Sequence, residues 1–194
     1  MVIGLTGGSG CGKTTALGVL REMGAVCHDA DAVYRELLAS CPTMLAEIEA
    51  AFPGTVRNGV LQRKALAARV FSDPEALRTL NAITHPFVAA EIRRRLGDGL
   101  SVIDAFGLIE SGLGALCDRT VAVTAPTETR IARLMLRDGI SRDAAAARIA
   151  AQRTNEEFSS LCDLTLENGG SQEEFRILCR TEFEKLIKEI EKHG

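Results

Sequence analysis

Near the start of the 194-residue chain, Gly7-Gly8-Ser9-Gly10-Cys11-Gly12-Lys13-Thr14 carries the spacing G-x-x-x-x-G-K-[ST] in full. Glycines at these places let backbone N–H groups curl inward around phosphate oxygens, where a Cβ would obstruct them. The following helix adds the unpaired N–H groups and positive dipole end of its N-terminus. Lys13 then supplies a point charge for the β- and γ-phosphates, and the Thr14 hydroxyl is a ligand for Mg²⁺. Cys11, inside the loop, reads as a small side chain rather than a nucleophile. The pattern specifies a nucleoside triphosphate but does not separate a kinase from a switch GTPase or a mechanical ATPase. No Asn-Lys-x-Asp sequence for reading guanine occurs, and the chain is short for ATPase machinery beyond a core.

Carboxylates come next, because phosphoryl transfer to an alcohol needs one group to orient and accept the hydroxyl proton and others to help hold Mg²⁺. Asp29-Ala30-Asp31 ends a second short apolar run, and Asp104 ends a third. Open parallel sheets bind ligands at such strand ends. Asp31 is the candidate base. Asp104 is the candidate metal carboxylate, binding Mg²⁺ itself or standing behind a ligand. Asp29 is divided evenly between a functional carboxylate of the site and a helix N-cap or loop carboxylate. Downstream, Arg130, Arg133 and Arg137 are spaced i, i+3, i+7 and so share a helical face, while Arg148 and Gln152 are spaced i, i+4. Two helices joined at Asp138-Gly139-Ile140 would form a hinged basic flap able to close over a triphosphate and expel water.

The elements that must position these groups follow from apolar periodicity. Met1–Thr6 reads as a strand, and Lys13–Met23 as a helix with apolar residues at helical spacing, closed by Gly24. Ala25–His28 is a second strand, so strand, glycine turn, helix and strand make a βαβ unit and predict a parallel sheet. Residues 32–96 read as almost wholly helical, interrupted by turn signals at Cys41-Pro42, Pro53-Gly54, Asn58-Gly59 and Ser72-Asp73-Pro74. That is too much helix for a plain crossover and predicts an inserted helical subdomain, where an acceptor would bind. Leu100–Asp104, Thr120–Thr124 and Leu164–Leu166 are the remaining strands. Helices are predicted at Pro126–Arg137, at Ser141–Arg153 with Ser141 as N-cap, and at Gln172–His193 as a long charged amphipathic helix on the outside.

Composition sets the outer limits. Hydrophobic residues make up 46% and charged residues 25%, enough for a sizeable core. The formal charge of −3 argues against a nucleic-acid partner. No run approaches the roughly 18–20 apolar residues of a membrane span, and no basic n-region precedes an apolar stretch. A cytoplasmic protein with neither nucleic-acid nor membrane partners is therefore expected. The six cysteines contain no C-x-x-C pair, so reduced thiols rather than a zinc site are expected.

Taken together, these segments resemble the dephospho-CoA kinase family over nearly the whole chain, in order. The resemblance is carried by IGLTGGSGCGKTT (Ile3–Thr15), the Asp29–Asp31 triplet and VFSDPEALRTLNAITHP (Val70–Pro86), which contains His85. It continues in RLMLRDGISRDAAAARIAAQ (Arg133–Gln152) and ENGGSQEEF (Glu167–Phe175). It implies ATP as donor, Mg²⁺ as cofactor and the ribose 3′-hydroxyl of dephospho-CoA as acceptor. It also implies an ATP loop at Gly10, Cys11, Gly12, Lys13, Thr14 and Thr15, with Thr14 and Asp104 toward the metal. Asp31 would be the catalytic base alongside Lys13, and Arg137 a phosphate-contacting lid arginine. Arg148 would be a further lid contact, and Asn168 an adenine-side contact.

The implied architecture is an α/β P-loop NTPase-type three-layer fold with a mainly parallel five-stranded sheet. It forms one kinase domain: core 1–31, 100–125 and 154–194, helical acceptor-binding insertion 32–96, and helical lid 126–153, as a monomer or small homo-oligomer. The family usually continues its third strand as Pro-Leu-Leu-Phe-Glu. Here the segment reads Ala105-Phe106-Gly107-Leu108-Ile109-Glu110, which keeps Leu108 and Glu110 but lacks the proline and first leucine, and Glu167 replaces a more usual Asp or small polar residue. Another small-molecule P-loop kinase with a nucleoside or nucleotide acceptor, or a P-loop switch protein, stands as the alternative.

Overall fold

The computed structural model describes residues 1–193. In chain order the elements are β1 (Val2–Thr6), α1 (Lys13–Glu22), β2 (Val26–Asp29), α2 (Ala30–Ser40), α3 (Pro42–Ala51), β3 (Val56–Arg57) and β4 (Val60–Leu61). There follow α4 (Arg63–Val70), α5 (Pro74–Arg95), β5 (Ser101–Asp104), a 3₁₀ turn at Leu113–Leu116, and β6 (Arg119–Thr124). The chain continues through α6 (Thr127–Asp138), α7 (Arg142–Ala150), α8 (Asn155–Leu161), β7 (Leu164–Glu167) and α9 (Gln172–His193). Two compact units result: Met1–His28 with Gly97–Gly194, and Asp29–Leu96.

The first unit is built on a five-stranded sheet of order β2-β5-β1-β6-β7, with parallel pairing of β1 to β5, β1 to β6 and β6 to β7. All five strands lie on the short apolar runs that the sequence predicts as strands, with bounds shifted by a residue at some ends. β1 is central and buried, so its residues Ile3 and Leu5 have no exposed surface. Its register sets Leu5 beside Asp104 of β5, which brings Asp104 to the same edge of the sheet as the glycine loop that follows β1. One face of the sheet is covered by α1 through Ala16, Leu17, Val19 and Leu20. Over the same core lies α9, which buries Phe175, Cys179, Phe183 and Leu186. Their spacing of about one helical turn makes the apolar stripe of an otherwise charged helix.

The second unit encloses its own core of Met44, Ile48, Phe52, Leu66, Val70 and Leu80. Asp73 caps α5 by accepting from Glu75 and Ala76 N–H groups, with Pro74 at the first helical position, as the sequence predicts. The expectation of an almost wholly helical segment is corrected at one place. Val56–Arg57 and Val60–Leu61 pair as an antiparallel hairpin around Asn58 (φ 50°) and Gly59 (φ 73°). Asn-Gly is the dipeptide that adopts two successive left-handed conformations at least cost, and that turn matches the twist of paired strands. Two-residue strands are too short to show alternation, so only the turn was visible beforehand.

Helix α7 ends at Ala150 rather than running to Arg153. Next, Thr154 and Glu157 cap α8 reciprocally: Glu157 N donates to Thr154 Oγ1 (3.2 Å), and Thr154 N to Glu157 Oε2 (2.7 Å). Thr154→Ala is expected to cost about 1 kcal/mol. In a chain of this size that lowers the melting temperature by roughly 2–4 °C, measurable by thermal denaturation.

Candidate active site

The loop between β1 and α1 curls because Gly10 (φ 77°) and Gly12 (φ 103°) take left-handed backbone conformations. Gly12 directly precedes the first residue of α1, so the loop and the first helical turn line one cleft. That cleft, about 520 Å³, is lined by the loop from Gly7 to Gly10 and by Gly12, Lys13, Thr14 and Thr15. Phe106, Arg133, Leu136, Arg137, Asn168, Gln172 and Phe175 form its other walls. Lys13 Nζ lies 2.6 Å from Asp104 Oδ1, and each side chain is only about a fifth exposed (22% and 19%). Thr14 is exposed at the start of α1.

The outward-facing carbonyls of the loop are held from behind. Asn168 is buried at the end of β7; its Nδ2 donates to Cys11 O (2.9 Å), and its Oδ1 accepts from Arg133 (3.1 Å). Arg133 also donates to Gly10 O (3.3 Å) and Cys11 O (3.4 Å). Fixing these carbonyls outward holds the Gly10–Gly12 turn in place beside the cleft. A Cβ at Gly12 would collide with Asn168 Nδ2, and φ 103° disfavours any L side chain. Gly12→Ala is therefore expected to weaken ATP binding at least about tenfold through stored strain. Titration calorimetry checks this; wild-type affinity would mean that the Asn168 amide gives way.

Ser9 is tied to the α6–α7 hairpin by three hydrogen bonds, and a fourth joins the two hairpin residues that make them. Its N–H donates to Gln152 Oε1 (2.9 Å), and its Oγ accepts from Gln152 Nε2 (2.7 Å). Its carbonyl accepts from Arg130 Nε (2.9 Å), and Arg130 also donates to Gln152 Oε1 (2.9 Å). The hairpin itself closes over Ile131, Leu134, Ala145 and Ile149, and turns at Gly139 (φ 65°).

The predicted arginines fare differently from one another. Arg137 reaches the cleft wall while bonded to Asp138 (2.7 and 3.0 Å). Arg148 binds the same carboxylate (2.6 Å) and is absent from the cleft lining. The two guanidiniums, Arg137 first, hold the Asp138 carboxyl down to about 2, so it is ionised at neutral pH. Because α7 stops at Ala150, Gln152 leaves the helix and turns to Ser9 instead of sharing a face with Arg148. Arg130, Arg133, Gln152 and Phe106 are the site residues that the sequence did not single out individually. The i, i+3, i+7 spacing was the available signal for the two arginines.

Burial pushes the Cys11 thiol up, which keeps it protonated and unreactive at neutral pH. All six cysteines are free thiols. In the altered segment after β5, Leu108 is fully buried. The Phe106 carbonyl accepts from Thr6 Oγ1 (2.8 Å), its ring meets Phe158 edge-on at 6.2 Å, and Glu110 pairs with Arg153. In the second unit, Asp29 resolves as the N-cap of α2, accepting from Ala32 N–H (2.9 Å). Asp31 lies exposed in the first turn of the same helix, and among the described residues nothing binds its carboxylate. His85 is half-buried within α5.

Mg²⁺ prefers hard oxygen donors, keeps several waters and is held in such sites by one or two protein groups plus phosphates. The Thr14 hydroxyl and the Asp104 carboxylate fit that donor set. Asp104 Oδ1 is buried and, apart from the Lys13 ion pair, makes no hydrogen bond. Among the described residues no group of three or more His, Cys, Asp or Glu could hold a metal without such a substrate. No helix among them is long and apolar enough to cross a membrane.

A parallel sheet with this loop after its central strand, Lys13-Thr14 at the loop's end, and an arginine hairpin beside it define a P-loop kinase. A family model described as dephospho-CoA kinase matches residues 1–174. A dephospho-CoA kinase from Anaeromyxobacter dehalogenans is 44% identical over 180 residues, covering 89% of this chain and 85% of that one. Among solved structures, a Thermus thermophilus protein superposes with a TM-score of 0.75 at 36% identity, covering 97% of both chains. The dephospho-CoA kinase from Campylobacter jejuni gives 0.69 at 25% identity over 96% of this chain and 97% of that one. The chain belongs to the dephospho-CoA kinase family, ATP-dependent enzymes that phosphorylate the 3′-hydroxyl of dephospho-CoA.

Proposed function

We propose that this chain carries out the family reaction with Asp31 as base and the Gly7–Thr15 loop as donor site, as the last step of coenzyme A biosynthesis. The observation that carries the reading is the cleft lined together by the glycine loop, Lys13 and Arg137. Negative charge grows on the transferring group and the leaving phosphate, and positive groups placed beside them stabilise that charge. Lys13 neutralises the β- and γ-oxygens when it exchanges Asp104 for phosphate. Arg137 stands at the cleft wall to meet the γ-charge. Arg148 reaches phosphate only if it leaves Asp138, and Asn168 sets the base side of the cleft while holding the loop. The Thr14 hydroxyl and the Asp104 carboxylate would hold Mg²⁺, which would supply charge neutralisation at the phosphates.

The acceptor belongs with the unit Asp29–Leu96, where the free carboxylate of Asp31 orients the 3′-hydroxyl and takes its proton. Asp29 is unsuited to that role because its carboxylate is engaged in capping α2. The α6–α7 hairpin, residues 126–153, acts as the lid. Incubation with ATP, Mg²⁺ and dephospho-CoA should release ADP and form CoA, identified by mass spectrometry. Preference for nucleosides as acceptors would overturn the acceptor assignment. ADP release independent of any acceptor would favour a switch protein instead.

A further inference from the structure

Arg130 is 2% exposed, the most deeply buried cation of the α6–α7 hairpin. Its hydrogen bonds go to neutral acceptors: Ser9 O, Gln152 Oε1 and, at 3.5 Å, Asn155 Oδ1. Among the described residues no carboxylate pairs with it. Arg137, Arg142, Arg148 and Arg153, all more exposed, each have one. Burying a cation without a counter-ion is costly, and such charges are normally paired. Desolvation accordingly pushes the Arg130 guanidinium down from its usual range.

Arg130 does not line the nucleotide cleft but borders a separate recess with Gln152 and Asn155. Its guanidinium lies close against the loop, so that a Cβ on Gly8 would strike Arg130 Nη2.

We infer that Arg130 is a further determinant of triphosphate affinity: its buried, carboxylate-free guanidinium supplies positive charge to the phosphates through the Gly8–Gly10 backbone without touching them. It acts as a positioning residue for Ser9 at the same time, and Gln152 completes the clamp. Because the charge is buried, salt screens it much less than it screens an exposed arginine. The inference rests on the loop as a phosphate site and not on the acceptor, so it is tested with nucleotide alone.

Arg130→Gln keeps an amide donor for Ser9 O and removes the charge. Titration calorimetry with ATP, ADP and AMP should show losses that grow with phosphate charge: roughly tenfold for ATP (~1.4 kcal/mol), less for ADP and little for AMP. Arg130→Lys should restore most of the ATP-to-AMP ratio.

A second variant has the opposite sign in its two readouts. Gln152→Glu places a carboxylate where Arg130 already donates, so the free protein should melt higher while ATP affinity falls. Equal losses for ATP, ADP and AMP, or stability and ATP affinity falling together in Gln152→Glu, would reduce Arg130 to a structural role. If Arg130→Gln does not fold, Gln152→Glu alone decides: higher melting with unchanged ATP affinity overturns the inference.

Discussion

Lys13→Met is expected to lower kcat/KM about 10³-fold, the scale for removing a charged group aimed at the transition state. The same substitution should also destabilise the protein without ligand, because Lys13 is the cation paired with Asp104 at 2.6 Å. Removing one member of a fully buried pair costs roughly 3–5 kcal/mol. With each side chain about a fifth exposed, solvent screening reduces this to about 2 kcal/mol, a drop of roughly 4–8 °C in melting temperature. Lys13→Met/Asp104→Leu should recover most of that stability and none of the turnover. Thermal denaturation and coupled ADP assays separate the two effects. A double variant as unstable as the single one would mean that Lys13 stabilises through something other than Asp104.

Asp31→Asn is expected to cut turnover with dephospho-CoA by at least about 10²-fold, the usual contribution of a positioned acid–base group. ATP affinity should stay nearly unchanged, since the nucleotide cleft is lined by residues of the other unit. The isosteric amide keeps the volume and the exposed setting of Asp31, so folding should be unaffected. Near-normal turnover would remove Asp31 from the base role. Asp29→Asn serves as the contrast: its loss should register mainly in the stability of α2, because Asp29 caps that helix.

The two carboxylates show where sequence reasoning stops. Both follow a strand, and both are Asp, so spacing alone left Asp29 divided between a cap and a functional group. The backbone settles it: φ −79° and ψ 108° place Asp29 at the N-cap position, where its oxygen meets Ala32 N–H, while Asp31 is already inside the helix. The phosphate loop needed no such help. Its chemistry lies in the backbone, and eight consecutive residues specify the turn, the approach distance and the charge.

What surrounds the loop could not be read in the same way. Ser9 is 121 residues from Arg130 and 143 from Gln152. Periodicity reports which residues share a helical face, but not what that face meets. Hence Arg130, Arg133 and Arg137 were grouped correctly on α6, yet one lies buried behind the loop, one holds its carbonyls and one reaches the cleft wall. The alanine run Ala144–Ala147 continues helical propensity without a stop signal, so the end of α7 and the turn of Gln152 toward Ser9 were invisible in the sequence.

By itself the sequence determined the nucleotide, the parallel sheet and the family, because each depends on local backbone chemistry, strand-ending residues and extended motifs. Only the tertiary structure decided which arginine carries a buried charge with no carboxylate beside it, which aspartate is spent on a cap, and that Lys13 rests on Asp104. Those assignments depend on burial and on which distant groups compete for each hydrogen bond, and neither quantity is encoded in spacing along the chain.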